Sequence, residues 1–328
     1  MWAATLRSAE WTDYKFGDRQ LRLWHKYLGM KPLQIIREVT DAKLSRRSFI
    51  PAYEMDEAGL DKFMDKINRC RPVLMDGYAE SFNFIAKYLK NKPYDGYKPK
   101  AIISSAQNLP LESRNIIEHA FGCKVFDKYG SREFGGGLAY ECEYHTGHHV
   151  VAECLIVEIV KDGRPAVPGE VGEVLITSLN NFAAPLIRYR LGDLAVQIDN
   201  SELCACGRGL PQIGDIQGRI QAVIVGCDNQ FVPGSFFARL FANYEYAIRQ
   251  FQVVQEESGK LQFKIVKAPL FEQNILDKII YETKKHLGKN LVVEVNFIEN
   301  VELGRTGKRQ HSISKVQINE ILNKININ

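Results

Sequence analysis

The sequence predicts an α/β protein: a parallel sheet with helices, a β-rich extension and, behind it, a small α+β domain. Three observations predict it. From Asp56 to Phe126, apolar runs alternate between strand-like and helix-like spacing, the pattern of a parallel sheet built by right-handed crossovers. After Ser131 the chain turns β-rich, punctuated by turn sequences. Beyond Arg219 a new set of strands and helices begins. The 328 residues fit two domains at about 150 residues each.

The first fifty residues, with Trp2, Trp11 and Trp24, offer no strong opening strand, and Asp41–Arg47 reads as a solvated loop. Leu60, Phe63, Met64 and Ile67 then follow helical spacing behind Asp56 as N-cap, to about Asn68. Pro72 ends that helix, and Val73–Met75 reads as a short buried strand. A second helix, Ala79–Leu89, places Phe82, Ile85, Ala86 and Leu89 on one face. A strand at Ala101–Ile103, a helix at Leu111–Phe121 and a strand at Lys124–Phe126 complete the alternation. Glu153–Val160 and Glu173–Leu179 lie either side of the turn sequence Lys161–Arg164 and read as an antiparallel hairpin attached to the sheet.

In the second unit Val223–Val225 and Phe231-Val232 flank a turn at Asp228-Asn229. A helix at Gly234–Ala242, a hairpin of Phe251–Val254 and Leu261–Val266, a helix at Phe271–Leu287 and a strand at Leu291–Phe297 follow. The boundary falls near Gly218-Arg219, giving domains of 1–217 and 218–328.

Composition excludes several classes. Lysine plus arginine is 43 against 39 for aspartate plus glutamate, a formal charge of +4 without a basic stripe. Charge-driven disorder and a nucleic-acid partner are therefore not expected. Apolar runs such as Cys154–Val157 are too short to span a bilayer, and the N-terminus lacks the apolar core of a secretory signal. Seven cysteines are too few for a disulfide scaffold of this size, so a reduced, cytoplasmic setting is expected.

Four segments carry candidate chemistry. Ser104-Ser105-Ala106-Gln107 follows a strand where parallel sheets bind ligands, though an ordinary turn has the same composition. Tyr129-Gly130-Ser131-Arg132-Glu133 lies just past the next strand. It offers a sharp turn, a hydroxyl for a phosphate oxygen and a carboxylate for Mg²⁺. Pro185–Asp193 reads as a strand whose end delivers Asp193, either to ribose hydroxyls or to a surface salt bridge. Gly304-Arg305-Thr306-Gly307-Lys308-Arg309 lacks the context of a Walker loop and presents a lysine, to an anionic ligand or to solvent.

In order and spacing these segments resemble the adenylate-forming superfamily, near its phenylacetate–CoA ligase-like and capsular-polysaccharide CapK-like branch. Ile187–Asp193 is the most specific piece, and the resemblance spans about Asp56 to Lys315. It implies the C-terminal portion of an adenylate-forming large domain, followed by a mobile lid domain that rotates between half-reactions. It also implies a two-step reaction: ATP-dependent formation of an acyl-adenylate from a small carboxylic acid, then transfer of the acyl group to CoA or another acceptor. By the same resemblance Ser105, Ala106 and Gln107 lie beside adenine, within the Tyr129–Glu133 segment Ser131 meets the α-phosphate, and Glu133 holds Mg²⁺. Asp193 binds ribose with Arg219 nearby, and Lys308 approaches the reacting oxygens. Gln221 stands near the hinge, and Tyr78, Phe82 and Phe134 surround the acyl pocket. The family's Ser/Thr/Gly-rich phosphate loop has no counterpart between Met1 and Arg46, whereas Trp11–Asp18 resembles the stretch that follows it. The chain is therefore expected to start after that loop, as an enzyme whose loop a partner chain or a second copy supplies, or alternatively as a split or non-catalytic homologue that binds a nucleotide or a partner chain.

Cysteine and histidine form a fifth constellation. Cys142-x-x-His145 and Cys204-x-Cys206 together offer the thiolates and imidazole of a tetrahedral structural zinc site, with His148 as an alternative fourth ligand. Cys-x-Cys-Gly-Arg also recurs in the CapK-like branch. Two unrelated surface loops with reduced thiols are the alternative. His149 is expected nearer the acyl pocket, and Cys70, Cys123, Cys154 and Cys227 as core residues.

Overall fold

The computed structural model describes residues 1–24, 32–51, 57–91, 94–107, 109–219, 222–227, 230–232, 234–302 and 310–316. In chain order the elements begin with α1 (Trp2–Glu10), β1 (Gln20–Trp24), α2 (Pro32–Leu44), β2 (Arg47–Pro51), α3 (Glu57–Cys70) and β3 (Leu74–Tyr78). They continue with α4 (Ala79–Asn91), β4 (Ala101–Ser105), α5 (Leu111–Phe121), β5 (Lys124–Ser131), β6 (Gly136–Glu141) and β7 (His148–Val150). Next are β8 (Leu155–Lys161), β9 (Arg164–Pro165), β10 (Val171–Ser178), β11 (Tyr189–Gln197), β12 (Gln212–Arg219), β13 (Ile224–Val225) and β14 (Phe231–Val232). Last come α6 (Gly234–Ala242), β15 (Ile248–Gln255), β16 (Lys260–Lys267), α7 (Gln273–Leu287), β17 (Val292–Phe297) and β18 (Ser312–Ser314). The chain divides into two compact units. Unit 1 is 1–157, 177–187 and 198–215; unit 2 is 158–176, 188–197 and 216–328.

Unit 1 is built on a sheet in the order β2-β1-β3-β4-β5-β6-β7. The first five strands are parallel, and β6 and β7 are antiparallel. Strand alternation sends Met75, Ile102 and Val125 to one face, where they pack with Phe63 of α3, Phe82 of α4 and Ile117 of α5. Leu74, Ile103 and Phe126 take the other face, against Leu6 and Ala9 of α1 and Tyr14. Coverage of both faces makes such strands continuous apolar runs, which is why β3 and β4 stand out in the sequence. α5 stops at Gly122, whose φ of 63° and N–H bond to the Glu118 carbonyl make a left-handed cap.

Three expectations are corrected here. The opening region does hold a strand: β1 lies between β2 and β3, parallel to both. Leu21 and Leu23 are each 1% exposed, but Arg22 between them breaks the apolar run. Asp41–Arg47 is not a solvated loop; it closes α2 and opens β2, with the Arg47 guanidinium paired to Asp41. Phe82 does not line a pocket, because it is fully buried and meets Phe121 edge-on in the core. Of the cysteines expected in the core, Cys154 is buried, and Cys70, Cys123 and Cys227 are half-buried.

In unit 2, β8 and β9 close a hairpin at Lys161↔Arg164. A Cβ on Gly172 of β10 would sit 2.7 Å from the Val160 carbonyl oxygen, so β8 and β10 approach too closely for a side chain there. The remainder is a four-stranded sheet, β17-β16-β15-β18, with the β13-β14 ribbon. Phe237 and Phe241 of α6, Phe263 of β16 and Ile279 of α7 form its core. No helix among the described residues is long and apolar enough to cross a membrane.

Candidate functional site

The carboxyl ends of the parallel strands carry the first candidate residues. Tyr78 and Ser105 end β3 and β4 and stand in register with Lys128 inside β5. Ser105 is buried, and Ala106 takes a left-handed φ of 67° as the chain leaves the strand. Gln107 turns back onto α4: its Nε2 donates to Glu80 Oε2 at 2.7 Å, and its Oε1 accepts from the Glu80 N–H at 3.1 Å. The Gln107 amide thus holds the first turn of α4, satisfying a donor that a helix start leaves open.

Tyr129-Gly130-Ser131 is not a loop past the strand, because β5 continues to Ser131 while pairing with β6. The register shifts between Tyr129 and Gly130, and a Cβ on Gly130 would lie 2.8 Å from the Gly136 carbonyl oxygen. Only glycine allows that approach. The Ser131 hydroxyl donates to the Glu133 carboxylate, and the Glu133 N–H returns a bond to Ser131 Oγ at 3.2 Å. An exposed carboxylate held beside a half-buried hydroxyl suits a divalent cation and an anionic oxygen respectively.

Asp193 also differs from its expected place: it lies within β11, not at its end. Glu173 pairs with Leu194 and Leu175 with Arg190, so β11 holds two more residues than β10 across this stretch. Gly192, with φ of 78°, sits in the bulge. Such a bulge re-aims a side chain. Asp193 is 7% exposed, and Arg219 Nε stands 3.3 Å from its Oδ1. The resemblance placed Arg219 near Asp193, and the two are in contact. Lys308 and Gln221 lie outside the described residues.

The cysteines assemble in unit 1. Ligand atoms of Cys142, His149, Cys204 and Cys206 all lie within 4.8 Å of one another. Cys142 Sγ is 3.7 Å from Cys204 Sγ, and Cys206 Sγ is 3.3 Å from His149 Nε2. Tetrahedral zinc with Zn–S bonds of about 2.3 Å sets its sulfur ligands about 3.8 Å apart, so the donors fit. His149 Nδ1 lies 3.2 Å from the Leu210 carbonyl, a bond that leaves Nε2 as the ligand atom. Burial pushes the Cys142 thiol up to about 12, and the neighbouring Cys204 and Cys206 thiols add to it.

His145 is not part of this cluster, and neither is His148. The chain turns at His145, with φ of 54°, and its Nδ1 meets Glu141 Oε2 at 3.1 Å and Arg114 at 2.9 Å. His148 and His149 are neighbours on β7 and face opposite sides; His148 Nε2 reaches Asp127 Oδ2 at 3.2 Å. His149 is the residue that sequence spacing missed, and its expected place by an acyl pocket is corrected to the thiol cluster. Trp11 meets the His149 ring edge-on at 5.5 Å and receives Arg208 on its face at 4.7 Å, while Arg208 bridges to Glu143 at 2.7 Å. A cavity of about 450 Å³ beside Trp11 and Glu143 opens at the amino ends of β4 and β5, away from Ser105 and Ser131.

Solved structures of this fold include 2-hydroxyisobutyryl-CoA ligase in its postadenylation state. Its TM-score is 0.71 at 16% identity, over 98% of this chain and 70% of that one. An anthranilate CoA ligase in complex with anthranoyl-AMP matches at 0.65 and 16% identity, over 94% and 61%. Residues 224–315 match the family model for the CapK C-terminal domain. The chain thus shares the fold of these CoA ligases, and its C-terminal part resembles the CapK C-terminal domain. Among its relatives, protein CapK of Staphylococcus aureus is 24% identical over 305 residues, 89% of this chain and 66% of that protein. Phenylacetate-coenzyme A ligase of Thermus thermophilus is 30% identical over 185 residues, 53% of this chain. The chain thus spans 66% and 41% of these two relatives.

Proposed function

We propose that the chain takes part in ATP-dependent activation of a carboxylic acid, forming an acyl-adenylate and passing the acyl group to CoA or another acceptor. The observation that carries this reading is the Ser131–Glu133 pair at the carboxyl end of β5, in a chain whose relatives include CoA ligases. Attack of a carboxylate on the α-phosphorus brings two anions together, so alignment and charge neutralisation dominate the catalysis. Bound Mg²⁺ supplies neutralising charge. In this reading Ser131 donates to the α-phosphate, Glu133 holds the cation, and Tyr129 and Gly130 shape the strand beneath them. Ser105 and Ala106 flank adenine with the backbone of Gln107, and Asp193, steadied by Arg219, accepts the ribose hydroxyls. Lys308 neutralises the reacting oxygens from the lid, 218–328, which turns against the 1–217 domain near Gly218. Cys142, His149, Cys204 and Cys206 hold a structural zinc, since four protein ligands leave no open position for substrate. Reduced thiols throughout support a cytoplasmic setting.

The test is pyrophosphate release and hydroxamate formation with ATP, Mg²⁺ and a panel of acids. Lys308→Ala is expected to abolish adenylation while leaving ATP affinity within twofold. Equal loss of binding and rate contradicts the role of Lys308. Coverage of only 66% of CapK favours a second reading, a chain that binds nucleotide and completes its site with a partner or a second copy. ATP binding without turnover, restored by adding a chain that carries a Ser/Thr/Gly-rich loop, is its outcome.

A further inference from the structure

Within β1, β3 and β5, two or three residues before the strands end, lies a charged cluster that neither the fold nor the nucleotide residues explain. Register places Arg22 of β1 opposite Asp76 of β3. Arg22 Nη2 is 3.3 Å from Asp76 Oδ2, and Lys128 Nζ of β5 is 3.3 Å from Asp76 Oδ1. The Asp76 side chain is 3% exposed, against 24% for Arg22 and 12% for Lys128. Trp24 roofs the cluster, with its ring 4.7 Å from Tyr78 and 5.5 Å from Lys128 Nζ.

Among the described residues two cations share one carboxylate, an excess of one positive charge in a largely buried place. Burial alone would raise the Asp76 carboxyl; Lys128 and then Arg22 overcome it and hold the group below its ordinary value, so Asp76 is ionised. The excess is felt nearby: the Arg47 guanidinium is lowered first by burial and then by the charge of Arg22. Arg22 Nε is itself buried, with no hydrogen-bond partner among the described residues. A buried ion pair adds little stability over apolar packing, and an unbalanced one adds less. A cluster kept for stability alone would be neutral. Among the described residues Asp76 is the one carboxylate paired with both cations, and the Arg22 side chain stays 24% exposed, so the cluster is reachable from solvent.

We propose that Arg22 and Lys128, oriented by Asp76, bind a second anionic group on the acid, so that the substrate is a dicarboxylic or similarly doubly anionic acid. This rests on the acid-activating reading above. One carboxylate of the acid reacts; the other remains ionised and fills the charge deficit beneath Trp24. Asp76 is a positioning residue, because it acts through the two cations.

The test compares glutarate with pentanoate, which match in length and differ in the second carboxylate, using the full chain. Binding is read by calorimetry and by Trp24 fluorescence, with Trp24→Phe as reference, and turnover by hydroxamate formation with ATP and Mg²⁺. Glutarate is expected to bind at least tenfold more tightly than pentanoate. Lys128→Met should erase that preference and Lys128→Arg should retain most of it. Because Lys128→Met alters a buried charge balance, the pair Asp76→Asn with Lys128→Met serves as a folded control, checked by circular dichroism, and should also lose the preference. Equal affinity for the two acids, or a preference that survives both variants, overturns the proposal. Glutarate binding without hydroxamate from any acid supports the cluster and overturns the activation reading. Hydroxamate formed equally well from pentanoate does the reverse. Neither binding nor turnover with either acid overturns both.

Discussion

Histidine assignment decides what the thiol cluster is. With His149 as fourth ligand, purified protein is expected to contain about one zinc per chain by atomic emission. His149→Ala should lower zinc affinity by at least tenfold, and His145→Ala should leave stoichiometry at one; the reverse pattern would sink the assignment. The tenfold figure is a lower bound, because even residues that only support metal ligands change affinity by about 10–100-fold. The three thiols were readable from the sequence, since cysteines at close spacing are uncommon and have few uses. The histidine was not. A Cys-x-x-His spacing presumes a knuckle turn, but here the residue turns back onto Glu141 and Arg114. Strand alternation on β7 then chooses between His148 and His149, and that choice depends on which face of β7 meets the 204–206 loop. Asp193 tells a similar story: its residue type was informative, but the bulge that aims it arises from pairing with β10.

Elements with a complete local signature were found at their true bounds. α5 and α6 span Leu111–Phe121 and Gly234–Ala242, as the sequence implies, because helical apolar spacing and flanking breakers specify both. β18 had no such signature. Ser312-Ile313-Ser314 is a strand only because β15 offers it a parallel partner, and buried Gln255 completes the join. Gln255 Oε1 accepts from the Val225 N–H at 2.9 Å and the Ser314 hydroxyl at 3.1 Å, and Nε2 donates to the Val225 carbonyl. One side chain therefore ties β13, β15 and β18 together. Gln255→Leu preserves size but strands buried groups, each costing about 1–3 kcal/mol. The expected result is a urea midpoint for unit 2 lowered by an equivalent of at least about 2 kcal/mol at unchanged slope, the low end of that range for the two Val225 groups alone. A loss below about 0.5 kcal/mol would show that the join is incidental, because surface substitutions fall in that range.

At the scale of the molecule, a formal charge of +4 conceals strong local pairing, and pairing sets the response to acid. Glu170 in unit 2 is held at about 2, first by hydrogen bonds from Arg164, then by the Val167 N–H, with Lys161 adding to them. Asp76 in unit 1 is likewise held below its ordinary value. Unfolded chains return these carboxyls to about 4. Between that value and the folded one, the unfolded state binds protons that the native state does not, so stability falls as pH drops through the window. Above it the contribution is complete. For Glu170 the window runs from the ordinary 4.5 down to about 2. Glu170→Gln is therefore expected to lower the thermal midpoint at pH 7 and to converge on the parent protein near pH 2. Because Arg164 is exposed and Glu170 only half-buried, 0.5 M salt should shrink the difference at pH 7. Melts followed by circular dichroism at pH 7, 4 and 2.5 check this. A variant displaced equally at all three would mean that Glu170 acts through packing of the β8–β9 hairpin and not through its charge.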